Sequence, residues 1–151
     1  MQTITPFLWF DGKAEEAMNF YRSIFPHTKV VNVSRAGDAV MSVTFELQGQ
    51  RFIGLNASPT YSFTPAISFL ISVETQQEVD ELWAKLIAGG GREERCGWLK
   101  DKFGLSWQII PDSLGRMLSD KDAVKSTRVM NALLQMDKLD LKRLQQAYDG
   151  E

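Results

Sequence analysis

Apolar residues along this chain switch between a two-residue and a 3.6-residue spacing, and each switch marks a new element. Ile4 to Phe10 is an apolar, aromatic run that predicts a strand, closed by Asp11-Gly12. From Lys13 the period lengthens: Ala14, Ala17, Met18, Tyr21, Ile24 and Phe25 share one helical face, and Pro26 ends it. Strands follow over 29–34 and 39–47, joined by a turn at Gly37-Asp38. Gln48-Gly49-Gln50 is a hairpin signal leading into a strand over 51–56.

The same order then recurs. Residues 66–73 predict a strand, and 76–88 a helix with Val79, Leu82, Trp83, Leu86 and Ile87 inward, closed by Gly89-Gly90-Gly91. Three short strands follow over 92–95, 97–100 and 105–110. A shift of 62 residues lays Phe7 on Phe69, Ala17 on Val79, Phe20 on Leu82, Tyr21 on Trp83 and Ile24 on Leu86, the mark of an internal repeat.

Alternation within strands predicts which rows face the helices. Phe7 and Trp9; Ile53 and Leu55; Ile67, Phe69, Ile71 and Val73; and Leu105, Trp107 and Ile109 are the wholly apolar rows expected against helices. The mixed rows are Pro6, Leu8 and Phe10; Phe52, Gly54 and Asn56; Ser68, Leu70 and Ser72; and Ser106 and Gln108. They are expected to line a cavity enclosed by a curled sheet, a usual place for a small-molecule site. These mixed rows hold no carboxylate, lysine or histidine.

Residues 112–151 are helical in pattern. Leu114, Met117 and Leu118 predict a short turn, 122–136 a helix with Val129, Met130, Leu133, Leu134 and Met136 on a broad apolar face, and Leu141, Leu144 and Tyr148 a last helix. Such a face needs cover, either from its own chain or from a second copy. The expectation is a homodimer to which this tail contributes.

Composition narrows the classes. A formal net charge of -2 gives no basic field for nucleic acid. No run of about 18 apolar residues exists to span a membrane. The first residues enter a strand pattern directly, and the single cysteine, Cys96, fits a reducing compartment, so a cytoplasmic location is expected.

The block Cys96-Gly97-Trp98-Leu99-Lys100-Asp101, continued by Phe103-Gly104-Leu105-Ser106-Trp107-Gln108, joins Pro6-Phe7-Leu8-Trp9-Phe10-Asp11-Gly12, Ala14-Glu15-Glu16-Ala17 and Asn19-Phe20-Tyr21 in a recognisable set. On these residues the chain resembles the vicinal-oxygen-chelate superfamily of glyoxalase, bleomycin-resistance and extradiol-dioxygenase proteins. More closely it resembles the PhnB-like family, often labelled 3-demethylubiquinone-9 3-methyltransferase. The resemblance implies an α+β fold of two βαβββ modules forming a curved eight-stranded sheet around a cavity, over about 1–60 and 61–111. Together they make a domain of 1–120, followed by a helical extension over 121–151.

In the superfamily, first and last strands of each module supply His, Glu or Gln ligands to a divalent metal. Carried over, those places fall on Pro6, Asn56, Ser68 and Gln108. Only Gln108 is a usual ligand type, so no metal and no cofactor is expected. The methyltransferase label implies a Gly-rich loop opening a helix, whereas Gly89-Gly90-Gly91 closes one. The expected ligand-binding residues are Phe52, Asn56, Ser68, Cys96, Trp98 and Gln108, with no catalytic residue assigned. Trp98 either stacks on a flat ligand or packs, Cys96 is either a reactive thiol or a buried one, and Asn56 and Gln108 either hold a ligand or bond each other. Lys100-Asp101-Lys102 reads as a solvated hairpin tip. The expected function is metal-free binding of a small molecule, the alternative a lyase or isomerase acting on a small oxygenated metabolite.

Overall fold

The computed structural model describes residues 2–151. Contacts divide the chain into two compact units, the first ending at Phe63 and the second running from Thr64 to Glu151. The first contains β1 (Phe7–Phe10), α1 (Ala14–Ile24), β2 (Thr28–Ala36), β3 (Ala39–Leu47) and β4 (Gln50–Asn56). The second contains β5 (Ser68–Val73), α2 (Gln76–Ile87), β6 (Arg92–Glu93), β7 (Trp98–Lys100) and β8 (Ser106–Pro111), then α3 (Asp112–Leu118), α4 (Ala123–Leu133) and α5 (Leu141–Asp149).

Each unit is therefore a βαβββ module with one four-stranded sheet, ordered β1-β4-β3-β2 in the first and β5-β8-β7-β6 in the second. The first strand of each module lies parallel to the last. The remaining neighbours are antiparallel. The α+β reading and the repeat hold. The strand expected from Ile4 starts at Phe7, and Ile4 is 97% exposed. Pro6 offers its carbonyl to Ile53 N but has no N–H to continue a ladder. The strand expected over 92–95 stops at Glu93, because Cys96 (φ 60) and Gly97 (φ 85) take left-handed conformations and turn the chain.

The facing of the first module's strands is the reverse of the expected one. Leu8 and Phe10 are 6% and 3% exposed, against 58% for Phe7. A Cβ built on Gly54 meets Val43, Phe10 and Ala14, the first residue of α1, so the row containing Phe52, Gly54 and Asn56 faces the helix. The second module keeps the expected facing, with Trp107, Ile109 and Leu99 buried and Leu70 exposed. The cause is one residue. Asp11, Gly12 and Lys13 connect β1 to α1, whereas only Glu74 and Thr75 connect β5 to α2. A 62-residue shift aligns the helices and leaves the strands out of step by one, which inverts every side chain.

The tail packs inside the second unit. Leu114, Met117, Val129, Leu133, Met136, Leu139 and Leu144 form one buried cluster, with Cys96, Ile110 and Tyr148 against it. Cys96 N donates to Met136 O and Gly97 N to Asp137 O, both at 2.8 Å. Gln76 both donates to Leu139 O (3.1 Å) and accepts from Leu141 N (2.8 Å), and Lys138 pairs with Asp80 at 2.7 Å. Much of the apolar surface that suggested a partner thus has cover in its own chain, while Val124, Met130 and Leu134 stay exposed. No helix of the described residues is long and apolar enough to cross a membrane.

Candidate functional site

The face of the second sheet opposite the Leu99, Trp107 and Ile109 row carries the polar groups that come together. Directly opposed residues on neighbouring strands share a face. The register therefore lays two rows across this sheet. One is Ser68, Ser106, Lys100 and Arg92, the other Leu70, Gln108 and Trp98. Lys100 corrects the expectation that the row holding Ser106 has no ionisable group. Gln108 Nε2 donates to Ser68 Oγ at 2.9 Å, so two of the expected site residues meet. The second N–H of Gln108 and its carbonyl oxygen take no part in that bond. Trp98 stands directly opposite Gln108 and is half-buried. Ser106 is 1% exposed, and its hydroxyl has no hydrogen-bond partner among the described residues.

The hairpin between β7 and β8 is organised by a residue that sequence reasoning placed in solvent. Asp101 is 2% exposed. Its Oδ1 accepts from Phe103 N (2.8 Å) and Leu105 N (3.1 Å), and its Oδ2 accepts from Trp107 Nε1 (2.9 Å). Gly104 N returns to Asp101 O at 2.9 Å. The signal was present in the sequence: Asp at the first position of a turn and Gly at the fourth. This turn sets the register that places Ser106 and Gln108 on one face.

Three expected site residues lie elsewhere. Phe52 is buried and stacks on Phe45 (5.6 Å between centroids), which in turn stacks on Tyr21 of α1. Asn56 accepts from Ala14 N at 2.8 Å and donates to Val40 O at 3.0 Å, anchoring the start of α1, where Lys13 makes no side-chain cap. Both follow from the reversed facing of β4. Cys96 packs against the tail cluster, its thiol 3.6 Å from Leu133 O.

The groups implied by the resemblance do not fit this arrangement. Pro6 has no side-chain donor, Asn56 has both ends of its amide engaged toward α1, and Ser68 and Gln108 bond each other. A set of four such positions does not make a divalent-cation site. A methyl donor bound at a Gly-rich strand-to-helix loop does not fit either. Gly89 to Gly91 follow α2. Thr75 and Glu78 close a capping box on the N-terminal N–H groups of that helix.

A family model described as 3-demethylubiquinone-9 3-methyltransferase matches residues 2–110. Among solved structures, a PhnB protein from Bacillus cereus carrying the same label is 38% identical, with a TM-score of 0.67 over 73% of this chain and 99% of its own. A protein from Pseudomonas aeruginosa is 19% identical, with a TM-score of 0.63 over 74% of this chain and 98% of its own. The fosfomycin resistance protein FosX from Listeria monocytogenes is 14% identical, with a TM-score of 0.60 over 79% of this chain and 98% of its own. The last two likenesses are of fold alone. Among curated proteins none matches the chain. The chain belongs to the PhnB-like family labelled 3-demethylubiquinone-9 3-methyltransferase, within the vicinal-oxygen-chelate superfamily.

Proposed function

We propose that the protein binds a small oxygenated molecule on the Ser106 and Gln108 face of its second sheet, without a metal. Ser106, Ser68 and Gln108 supply the hydrogen bonds, and Trp98 and Leu70 the apolar contact. The observation that carries this reading is the Ser106 hydroxyl, buried and unpaired beside the Ser68–Gln108 pair. A buried polar group left without a partner costs roughly 1–3 kcal/mol. A ligand carbonyl or hydroxyl placed there removes that cost, and the free side of the Gln108 amide orients it. The donor chemistry at the superfamily's metal positions supports a metal-independent site.

The test is a thermal-shift screen against oxygenated metabolites, run with and without chelator. A ligand at a hundred times its Kd adds about 2.7 kcal/mol, a rise of about 5–10 °C for a chain of this size. That rise is expected to survive chelation and to vanish in Ser106→Ala and Gln108→Ala. Ser106→Ala without ligand is expected to equal or exceed the parent in stability. A Ser106→Ala protein that loses more than about 1 kcal/mol and binds the same ligands unchanged overturns the proposal.

One observation favours the lyase or isomerase reading as a second candidate. Lys100, directly across from Ser106, is an ionisable group on the same row. In that case a ligand found by the screen is converted to a product visible by mass spectrometry, and Lys100→Met stops conversion.

A further inference from the structure

The row that holds Ser106 does not end in neutral groups. Arg92 stands directly opposite Lys100 on the sheet edge. Beside them lies a cleft of about 340 Å³, lined by three cations, Arg92, Lys100 and Lys102, by Asp101, and by Gly90, Gly91 and Gly104. The glycines bring backbone close. A Cβ on Gly91 would stand 2.5 Å from Ile87 Cα and 2.7 Å from Lys100 O, and Gly89 and Gly90 have φ of 80° and 128°. A side chain at Gly91 would therefore need the backbone to move, and Gly89 and Gly90 hold conformations that favour glycine.

The acids around the cleft do not neutralise it evenly. Asp101 accepts three N–H groups, and Glu93 accepts from Trp83 Nε1 at 2.8 Å. The third, Glu94, offers one oxygen to two cations, at 3.4 Å from Arg92 and 3.8 Å from Lys100. Both distances exceed those of a tight charge-assisted bond. Two convergent cations sharing one loosely held carboxylate oxygen form a place where a stronger oxyanion displaces the carboxylate.

We propose that Arg92 and Lys100, with Lys102 at the rim, form an oxyanion subsite for the phosphate or carboxylate group of the ligand. Arg92 presents a two-pronged donor and Lys100 a point charge, while Ser106 and Gln108 hold the neutral, oxygenated part. This inference deepens the reading above and rests on the row through Ser106 being the binding face.

Inorganic phosphate is the probe. Thermal unfolding of the full chain is followed with increasing phosphate at constant ionic strength, against chloride as the reference anion. Phosphate is expected to raise Tm in a saturable way. Arg92→Gln combined with Lys100→Gln is expected to weaken apparent affinity at least about tenfold, and Arg143→Gln to leave it unchanged. Ser106→Ala retains phosphate binding, so loss of neutral-ligand binding in Ser106→Ala and loss of phosphate binding in the double variant fail independently. A phosphate effect no larger than that of chloride, or one untouched by the double substitution, overturns the oxyanion subsite. Folding of each variant is checked by far-UV circular dichroism, and Arg92→Lys, which keeps the charge but not the fork, is expected to fall between parent and double variant.

Discussion

The carboxylate of Asp101 accepts two backbone N–H groups and one indole N–H from a position almost closed to water. Removing it strands three donors at once. Asp101→Ala is therefore expected to lose about 3 kcal/mol or more in urea denaturation, with a change in Trp107 fluorescence. Glycines in the same unit differ as sharply. Gly91 is enclosed by backbone, so Gly91→Ala forces the chain to move and is expected to cost about 2–3 kcal/mol. A Cβ on Gly115, inside α3, meets nothing within 4 Å, and Gly115→Ala is expected to gain up to about 1 kcal/mol. The same denaturation series reads both. Asp101 was legible as a turn former and illegible as a buried one, because burial depends on Trp107 folding back over it. Asn56 was harder still: its partners, Ala14 N and Val40 O, are set by the fold and leave no local trace.

At the scale of elements, the order of strands and helices was legible throughout, since each change of period coincides with a change of structure. Which face of a strand meets the helix was not. Facing depends on connection length, and a difference of one residue between Asp11-Gly12-Lys13 and Glu74-Thr75 is invisible to a periodicity count. In the second module, where the reading of the facing held, Ser68 and Gln108 share a face and bond each other. In the first, Phe52 and Asn56 went to the helix side. The tail helices offer a pH test. Tyr148, on α5, donates its hydroxyl to Asp120, just before α4. That bond first, and the Asp122 N–H second, hold the Asp120 carboxyl below its ordinary value, with Lys125 adding to the effect. The same bond pushes the Tyr148 hydroxyl up, followed by burial and by the charges of Asp120, Asp149 and Asp122. A lowered acid contributes stability above its unfolded pKa and loses it as pH falls through the folded one; a raised tyrosine contributes below about 10 and loses it as pH rises further. Stability is thus expected to fall at both acidic and strongly alkaline pH. Tyr148→Phe is expected to flatten both limbs in urea midpoints measured from about pH 3 to 11.

For the molecule as a whole, the family match ends at residue 110, yet the second unit's largest tail cluster lies beyond it. Here the tail carbonyls of Met136 and Asp137 accept the N–H groups of Cys96 and Gly97. A chain ending at residue 120 is expected to expose Cys96, Ile110, Leu114 and Met117, to bind a hydrophobic dye, and to lose its cooperative thermal transition. The homodimer expected from the apolar tail now rests on Met130 and Leu134, exposed and one turn apart. Light scattering is expected to report a dimer for the parent and a monomer for Met130→Glu with Leu134→Glu. A parent that is already monomeric at high concentration removes that expectation.

The one-residue difference between the two strand-to-helix connections also sets a rule for recombining the halves. Crossovers placed at the helix starts, Ala14 and Gln76, leave each strand with its own linker and preserve both interiors. A crossover chosen by matching helices and then carried back into the strand grafts Leu70 where Leu8 stands, whereas the strand register places it at Phe7. In the wrong register the graft presents its buried row to water. Shuffled libraries built from this chain are therefore expected to tolerate breakpoints inside helices and to reject those inside the preceding strands, a bias written in the spacing of two short loops.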